Sequence, residues 1–352
     1  MRYDLVCMNC GSVYDSSYDA QVCGTCGGIL EVAYSGRMPK VKGTGKFWDY
    51  ERLLPDCAYR HYELGSTRLI RSHKHSNVFL KLEIDNPTRS FKDRGSVVEV
   101  GKAVEAGKAE IALASTGNMA YSVAYYAKLA GLRVRVFMGK GANKDKVRDI
   151  RGEHDAVMDF VNGDFTKAQA LATRYAKKTG AFLAGDYCYR KEGQKTVAYE
   201  VMDQLPETTH IVVPVGNATL ISGVFKGLRE MKAAGSIKHM PKIIGVQATG
   251  SAPLIKAFKL NKSVEYVLPR TAADAIAVGF PTFGDQAILA LKETGGSTVA
   301  VSDAEMASEQ RAFFNEYGMV AELAGVASLA ALKKLKFASR DKAVCVISGG
   351  NV

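Results

Sequence analysis

No stretch of this sequence approaches the roughly 20 consecutive apolar residues that a helix needs to cross a bilayer. Its opening, Met1-Arg2-Tyr3-Asp4, lacks the form of a secretory signal, so a cytoplasmic protein with no membrane partner is the expectation. Internal repeats and low-complexity linkers are also missing, which excludes solenoids and tethered tails. The cation surplus, 47 Lys and Arg against 36 Asp and Glu, is not gathered into a basic run with interleaved aromatics. It is dispersed over segments such as 140–146 and 333–336, which reads as a solvated surface and argues against a nucleic-acid partner. What is present is ordinary for a globular protein: 47% hydrophobic and 24% charged residues over 352 positions, enough for two domains and a small appendage.

The cysteines are unevenly placed. Four of the seven form two C-x2-C knuckles, Cys7-Met8-Asn9-Cys10 and Cys23-Gly24-Thr25-Cys26, each followed by a glycine, Gly11 and Gly27. Four thiolates at that spacing suit a closed structural zinc site that holds a small ribbon-like hairpin with too little core of its own. A disulfide or redox pair is the rival reading, and a reducing compartment disfavours it. Cys57, Cys188 and Cys345 read as small buried hydrophobes.

Lys92 stands in the run Asn86-Pro87-Thr88-Arg89-Ser90-Phe91-Lys92-Asp93-Arg94-Gly95-Ser96, between a Pro-containing turn and the apolar start of a helix. An amine that is to bond an aldehyde must shed its proton, and Arg89 and Arg94 flank it. A solvent lysine in a charged helix start is the plain alternative.

Downstream, helix and strand alternate. Apolar runs at 110–115, 133–137, 156–161 and 181–184 read as one set of strands, and runs at 210–213, 242–248, 297–301 and 343–347 as a second, so two parallel α/β sheets are expected. Ser302-Asp303-Ala304-Glu305 has the spacing of a capping box that opens a helix toward Tyr317, with Gly318 to close it. Three strand-end loops carry small polar residues: Ser115-Thr116-Gly117-Asn118-Met119, Pro214-Val215-Gly216-Asn217-Ala218-Thr219-Leu220 and Ser348-Gly349-Gly350-Asn351. The first could receive a carboxylate and the second a phosphate through backbone N–H groups; singly, each also reads as an ordinary helix cap.

The Lys92 run together with the Ser-Thr-Gly-Asn and Ser-Gly-Gly-Asn loops resembles the fold type II pyridoxal-phosphate enzymes over nearly the whole chain. The cysteine knuckles, the segment 48–55 and the run 190–196 are most similar to the threonine synthase branch. The resemblance implies an α/β enzyme of two interleaved domains, each a mostly parallel sheet flanked by helices: a large domain over 37–95 and 206–352, a small one over 96–205, and the ribbon-like hairpin over 1–36. It further implies a carbon–oxygen lyase of amino-acid metabolism in which Lys92 carries pyridoxal phosphate and moves the substrate's α-proton. Asn118 would meet the cofactor's phenolic oxygen, Gly216, Asn217, Ala218, Thr219 and Leu220 would hold its phosphate, and Ser348 would face the ring nitrogen. Ser115, Thr116 and Gly117 would take the substrate carboxylate, and Met119 and Arg190 would line its distal end. A homodimer acting on a small anionic amino acid is the expected assembly and partner, with Cys7, Cys10, Cys23 and Cys26 holding zinc.

Departures from that branch surround the substrate. Met119 stands where threonine is usual, Ala184-Gly185 where Asn-Ser is usual, and Thr219-Leu220 where Gly-Asn is usual, while Arg190 is kept. Arg68 and Arg89 add cations in place of proline and glycine. Three contacts to a substrate phosphate would be lost, each worth roughly 1.5–3 kcal/mol. The expectation is therefore divided between the usual substrate, O-phosphohomoserine, and a variant; a serine/threonine dehydratase or β-replacement synthase is the alternative. A zinc-ribbon nucleic-acid binder on an idle scaffold is a third reading, which would leave Lys92 and Asn118 without a purpose.

Overall fold

The computed structural model describes residues 1–40, 43–58, 61–115, 117–139, 150, 152, 154–162 and 165–351. In chain order the elements are β1 (Tyr3–Cys7), β2 (Val13–Asp15), β3 (Leu30–Tyr34), β4 (Leu69–Arg71), β5 (Val78–Leu82), α1 (Lys92–Glu105), β6 (Glu110–Ala114), α2 (Asn118–Ala130), β7 (Arg133–Gly139), β8 (Val157–Val161), α3 (Phe165–Thr179) and β9 (Phe182–Ala184). They continue with α4 (Cys188–Gln194), α5 (Thr196–Gln204), β10 (His210–Pro214), α6 (Thr219–Ala233), β11 (Lys242–Ala248), α7 (Pro253–Leu260), α8 (Gly284–Glu293), β12 (Ser297–Val301), α9 (Asp303–Tyr317), α10 (Ala327–Ala330) and β13 (Ala343–Ile347).

The chain divides into two compact units. The first comprises Met1–Arg37, Arg52–Glu63 and Lys92–Gly193; the second comprises Met38–Glu51, Leu64–Phe91 and Gln194–Val352. The division falls between Phe91 and Lys92 and between Gly193 and Gln194, where the resemblance placed it at 95 and 205, and the N-terminal segment joins the unit that contains Lys92.

In the first unit the parallel sheet runs β8-β7-β6-β9. Its strands are short and apolar because helices cover both faces; β6 is buried at every position. A core of Ala112, Ala114, Phe137, Val161, Ala168, Ala172 and Ala176 joins this sheet to α3. The small residues let the helix lie close to the strands. The N-terminal segment, expected as a ribbon-like hairpin, forms a three-stranded antiparallel sheet, β2-β1-β3. The third strand supplies the apolar face that a hairpin lacks: Leu5, Leu30 and Val32 are buried.

The second unit holds the sheet β12-β11-β10-β13-β5-β4, parallel except for the antiparallel edge β4. Strands β4 and β5 were not among the expected runs. Lys81 interrupts the apolar pattern of β5, and it is tolerated because its ammonium bonds Glu200 at 2.6 Å, with both side chains fully buried. The expected capping box at Ser302 and Glu305 opens α9, and Gly318 closes it at φ +65°.

Within each sheet, neighbouring strands deliver the loops of interest at their carboxyl ends. In the first unit β6 and β9 are adjacent, so residue 115 and residues 185–186 emerge side by side. In the second, β10 and β13 are adjacent and lead to residue 215 and to Ser348. Carboxyl edges of parallel strands are where α/β folds gather their chemistry.

Candidate active site

Lys92 opens α1. Its side chain is 18% exposed, while Asp93, Arg94, Gly95 and Ser96 behind it are buried. The next residues are fastened to their neighbours. Ser122 on α2 donates to the Asp93 carboxylate at 2.6 Å and lies 2.7 Å from the Ser96 hydroxyl. A methyl group on Gly95 would lie 2.6 Å from Arg190 Cγ, and one on Gly193 would lie 1.8 Å from the Arg94 carbonyl oxygen. Glycine at both positions lets α1 and α4 meet backbone to backbone.

Around this helix start the first unit places charged groups that the sequence reading missed. Asp186 Oδ1 lies 3.7 Å from Lys92 Nζ. Its only signal in the sequence is its position after a strand, where Asp ordinarily reads as a cap. Glu99 is fully buried two turns along α1 and meets Arg190, also fully buried, in an ion pair. The second Glu99 oxygen accepts the Gly185 N–H at 2.9 Å. Burial pushes the Glu99 carboxyl up to about 7, while the Arg190 guanidinium and the Gly185 N–H pull it back. Arg190, expected at the distal end of the substrate, spends its remaining donors on the Gly185 carbonyl at 3.0 Å, the Lys92 carbonyl at 3.3 Å and the Ser96 hydroxyl at 3.4 Å.

The loop after β6 is partly described. The Ser115 hydroxyl accepts from the Gly117 and Ala120 N–H groups at 3.4 and 3.2 Å and so caps α2, whose first residues Asn118 and Met119 are each 6% exposed. Thr116, the central residue of the expected carboxylate site, lies outside the described residues.

In the second unit the β10–α6 loop has the geometry of an anion cradle. Ala218, at the N-cap of α6, adopts φ +63° and makes no side-chain cap, and the first-turn N–H groups point outward along the helix axis. A Cβ on Gly216 would lie 2.9 Å from the Ala275 carbonyl oxygen, so only glycine keeps the loop at this depth. Asn217 is held on the far side, its carbonyl accepting the Phe283 N–H at 3.0 Å. Thr219 and Leu220 are 2% and 4% exposed, so Leu220 can offer a ligand only its backbone. Ser348 is 4% exposed; its carbonyl accepts from Phe91 N–H at 3.1 Å, and its hydroxyl has no partner among the described residues. In the first unit, an amine at a helix start suits an aldehyde; in the second, a helix N-terminus after a glycine turn suits a phosphate and a strand-end hydroxyl suits a pyridine nitrogen. Taken unit by unit, these residue types fit the chemistry of pyridoxal phosphate.

The two arginines that the sequence reading added to the substrate region have partners within the second unit. Arg68 makes a two-pronged contact with Asp85, at 2.9 and 2.8 Å, and Arg89, at φ +55°, donates to the Val320 carbonyl at 3.0 Å.

The four N-terminal cysteines converge, with all sulfurs within 4.8 Å of one another and no disulfide. Cys7 and Cys26 are 3.5 Å apart, and Cys10 and Cys23 are 3.6 Å apart. Sulfurs at Zn–S bonds of about 2.3 Å on a tetrahedron would be separated by roughly 3.8 Å. Both knuckles turn in the same way, with Gly11 and Gly27 at φ +72° and +71° donating back to the carbonyls of Cys7 and Cys23.

Comparison with known proteins agrees with this arrangement. The sequence profile of the family described as pyridoxal-phosphate dependent enzyme matches residues 61–349. A threonine synthase of Methanosarcina acetivorans is 35% identical over 99% of this chain and 92% of its own length. The threonine synthase of Methanocaldococcus jannaschii is 32% identical over 97% of this chain and 91% of its own length. Among solved structures, maize serine racemase superposes with a TM-score of 0.71 at 23% identity, covering 81% of this chain and 88% of that one, a likeness of fold. With the lysine in the first unit, the glycine-turn loop and the strand-end serine in the second, and the relatives matched over nearly their whole length, the chain belongs to the pyridoxal-phosphate dependent enzymes of fold type II, as a threonine synthase-like carbon–oxygen lyase.

Proposed function

We propose that this enzyme takes a small amino acid bearing a β- or γ-leaving group, O-phosphohomoserine or a variant of it, and carries out α-proton abstraction, elimination and addition of a nucleophile. Pyridoxal phosphate, when bound, supplies an electron sink for the charge left at the substrate's α-carbon. The remaining work falls to the chain. Lys92 Nζ holds and moves the α-proton, with Asp186 3.7 Å away to orient the ammonium form. The backbone at Gly117 and the hydroxyl of Ser115 orient the substrate carboxylate, and Asn118 approaches the cofactor from the start of α2. The N–H groups from Gly216 to Leu220 bind the cofactor phosphate. The Ser348 hydroxyl meets the ring nitrogen as a neutral partner, which favours elimination over transamination. Cys7, Cys10, Cys23 and Cys26 hold a structural zinc ion that closes the ribbon.

The observation that carries this reading is the partly exposed Lys92 amine at the head of a helix buried from Asp93 to Ala103, with a carboxylate beside it. Lys92→Ala should abolish the near-visible absorbance of the cofactor-bound protein while leaving its thermal unfolding cooperative; an unchanged absorbance would exclude Lys92 as the cofactor's anchor.

A dehydratase or β-replacement synthase is the second reading. It is favoured by Met119, Gly185 and Leu220, whose side chains offer no donor to a substrate phosphate. Phosphate release from O-phosphohomoserine supports the first reading; ammonia and oxo-acid formation from threonine or serine supports the second.

A further inference from the structure

Arg190 is a buried cation whose donors are all turned toward the protein. Its Nε–H meets the Gly185 carbonyl at 3.0 Å; Nη1 reaches the Lys92 carbonyl at 3.3 Å and the Ser96 hydroxyl at 3.4 Å; Nη2 reaches the same hydroxyl and the Glu99 carboxylate. Positions 92, 96 and 99 lie on one face of α1 over its first two turns. A single guanidinium thus clamps the head of the helix that presents the Lys92 side chain. A cation at a helix N-terminus opposes the helix dipole, and Arg190 sits near the start of both α1 and α4. Glu99 supplies the counter-charge that lets it stay there, and the Gly185 N–H fixes the second Glu99 oxygen at 2.9 Å.

We propose that Arg190, anchored by Glu99, is a positioning residue for Lys92 and takes no part in holding the substrate's leaving group. The proposal rests on the reading of Lys92 as the cofactor-bearing lysine. To receive a phosphate, the guanidinium would have to release at least one of these acceptors, the Lys92 carbonyl and the Ser96 hydroxyl being the most distant, and so loosen its hold on the head of α1. Asp186, 3.7 Å from Lys92 Nζ, adds a second carboxylate to the surroundings of this helix start. The geometry requires a planar, forked donor. A lysine at position 190 keeps the charge but reaches only a subset of these acceptors.

The test uses the cofactor-bound enzyme and three variants: Arg190→Gln, Arg190→Lys and Glu99→Gln. Near-visible absorbance is recorded across pH without substrate, and Kd is measured spectroscopically for O-phosphohomoserine and for homoserine. In a positioning role, Arg190→Lys and Arg190→Gln both shift the absorbance or its pH midpoint, and turnover of every amino acid accepted falls by a similar factor, roughly tenfold to a hundredfold. The ratio of the two Kd values stays within about twofold. Glu99→Gln, at a site that touches no substrate, reproduces the spectral shift. A rise of about tenfold or more in the Kd of O-phosphohomoserine alone, with spectrum and homoserine binding unchanged and with Arg190→Lys retaining parent affinity, would overturn the proposal. Should the Arg190 variants fail to fold, Glu99→Gln decides, because an unaltered spectrum there also overturns it. Retention of the absorbance by Lys92→Ala removes the premise instead, and that outcome is read on a separate variant.

Discussion

Two buried serines, 122 and 348, have opposite roles that their sequence contexts do not distinguish. Ser122 donates to Asp93 and contacts Ser96, fastening the residues that follow Lys92. Ser348 has no hydroxyl partner among the described residues, although it is 4% exposed. Ser122→Ala should therefore lower the stability of the holoenzyme by about 1–3 kcal/mol in urea unfolding, because the Asp93 carboxylate loses a buried donor. Ser348→Ala should change stability by no more than about 0.5 kcal/mol in the same measurement, while altering the cofactor's absorbance. At position 193 the constraint is steric. Gly193→Ala drives a methyl group to within 1.8 Å of the Arg94 carbonyl oxygen, and the helices must part. A loss of about 3 kcal/mol is expected, with the cofactor's near-visible band weakened as the Lys92 end of α1 shifts.

Single helices show how local chemistry and packing divide the work. Helix α9 is set by its own sequence: Ser302 Oγ accepts from Glu305 N–H at 3.2 Å, and the Glu305 carboxylate accepts from Ser302 N–H at 2.7 Å. Lys334 and the Ser302 N–H hold the Glu305 carboxyl below its ordinary value. A carboxyl whose pKa is depressed in the fold stabilises it at neutral pH and loses that contribution as the pH falls through its folded value. Ser302→Ala should cost about 1 kcal/mol at neutral pH. Glu305→Gln should show a penalty that fades on acidification, measured as the difference in Tm from the parent. Helix α4 is the opposite case. Tyr189 meets Tyr3 edge to face, Lys191 pairs with Glu31 and Glu192 accepts from Tyr34, so one face rests on the ribbon. Arg190 points from the other face to α1. Nothing in this short polar sequence suggests a helix until those partners are in place.

For the molecule as a whole, the small N-terminal sheet β2-β1-β3 carries the four clustered cysteines, so its stability is expected to depend on metal. Zinc analysis of the purified protein should find about one ion per chain, and a chelator strong enough to remove it should lower Tm by several degrees. Cys10→Ser should lower zinc content and Tm together; an unchanged Tm after complete zinc removal would sink the structural role. No helix among the described residues is long and apolar enough to cross a membrane.

Much of this was legible in the order of residues. The knuckles at Cys7 and Cys23, the strand runs, the capping box at Ser302 and the small-residue loops at Ser115, Gly216 and Ser348 all depend on spacing over a few residues, and short-range geometry translates directly from sequence. So did Lys92, whose position at a turn–helix junction needs no distant partner. What the sequence by itself could not determine is where charge is cancelled. Lys81 in the middle of β5 hid a buried strand because its counter-ion, Glu200, is remote in the chain. Arg68, Arg89 and Arg190 read as cations awaiting an anion, yet Asp85, the Val320 carbonyl and Glu99 respectively meet them. An ion pair is a property of two positions brought together by folding, and its worth depends on how thoroughly water is excluded from both. The sequence alone therefore pointed to the pyridoxal-phosphate family and to the two sets of parallel strands. Only the tertiary structure, by burying Glu99 against Arg190 and setting Asp186 beside Lys92, decided which charges are matched within the fold.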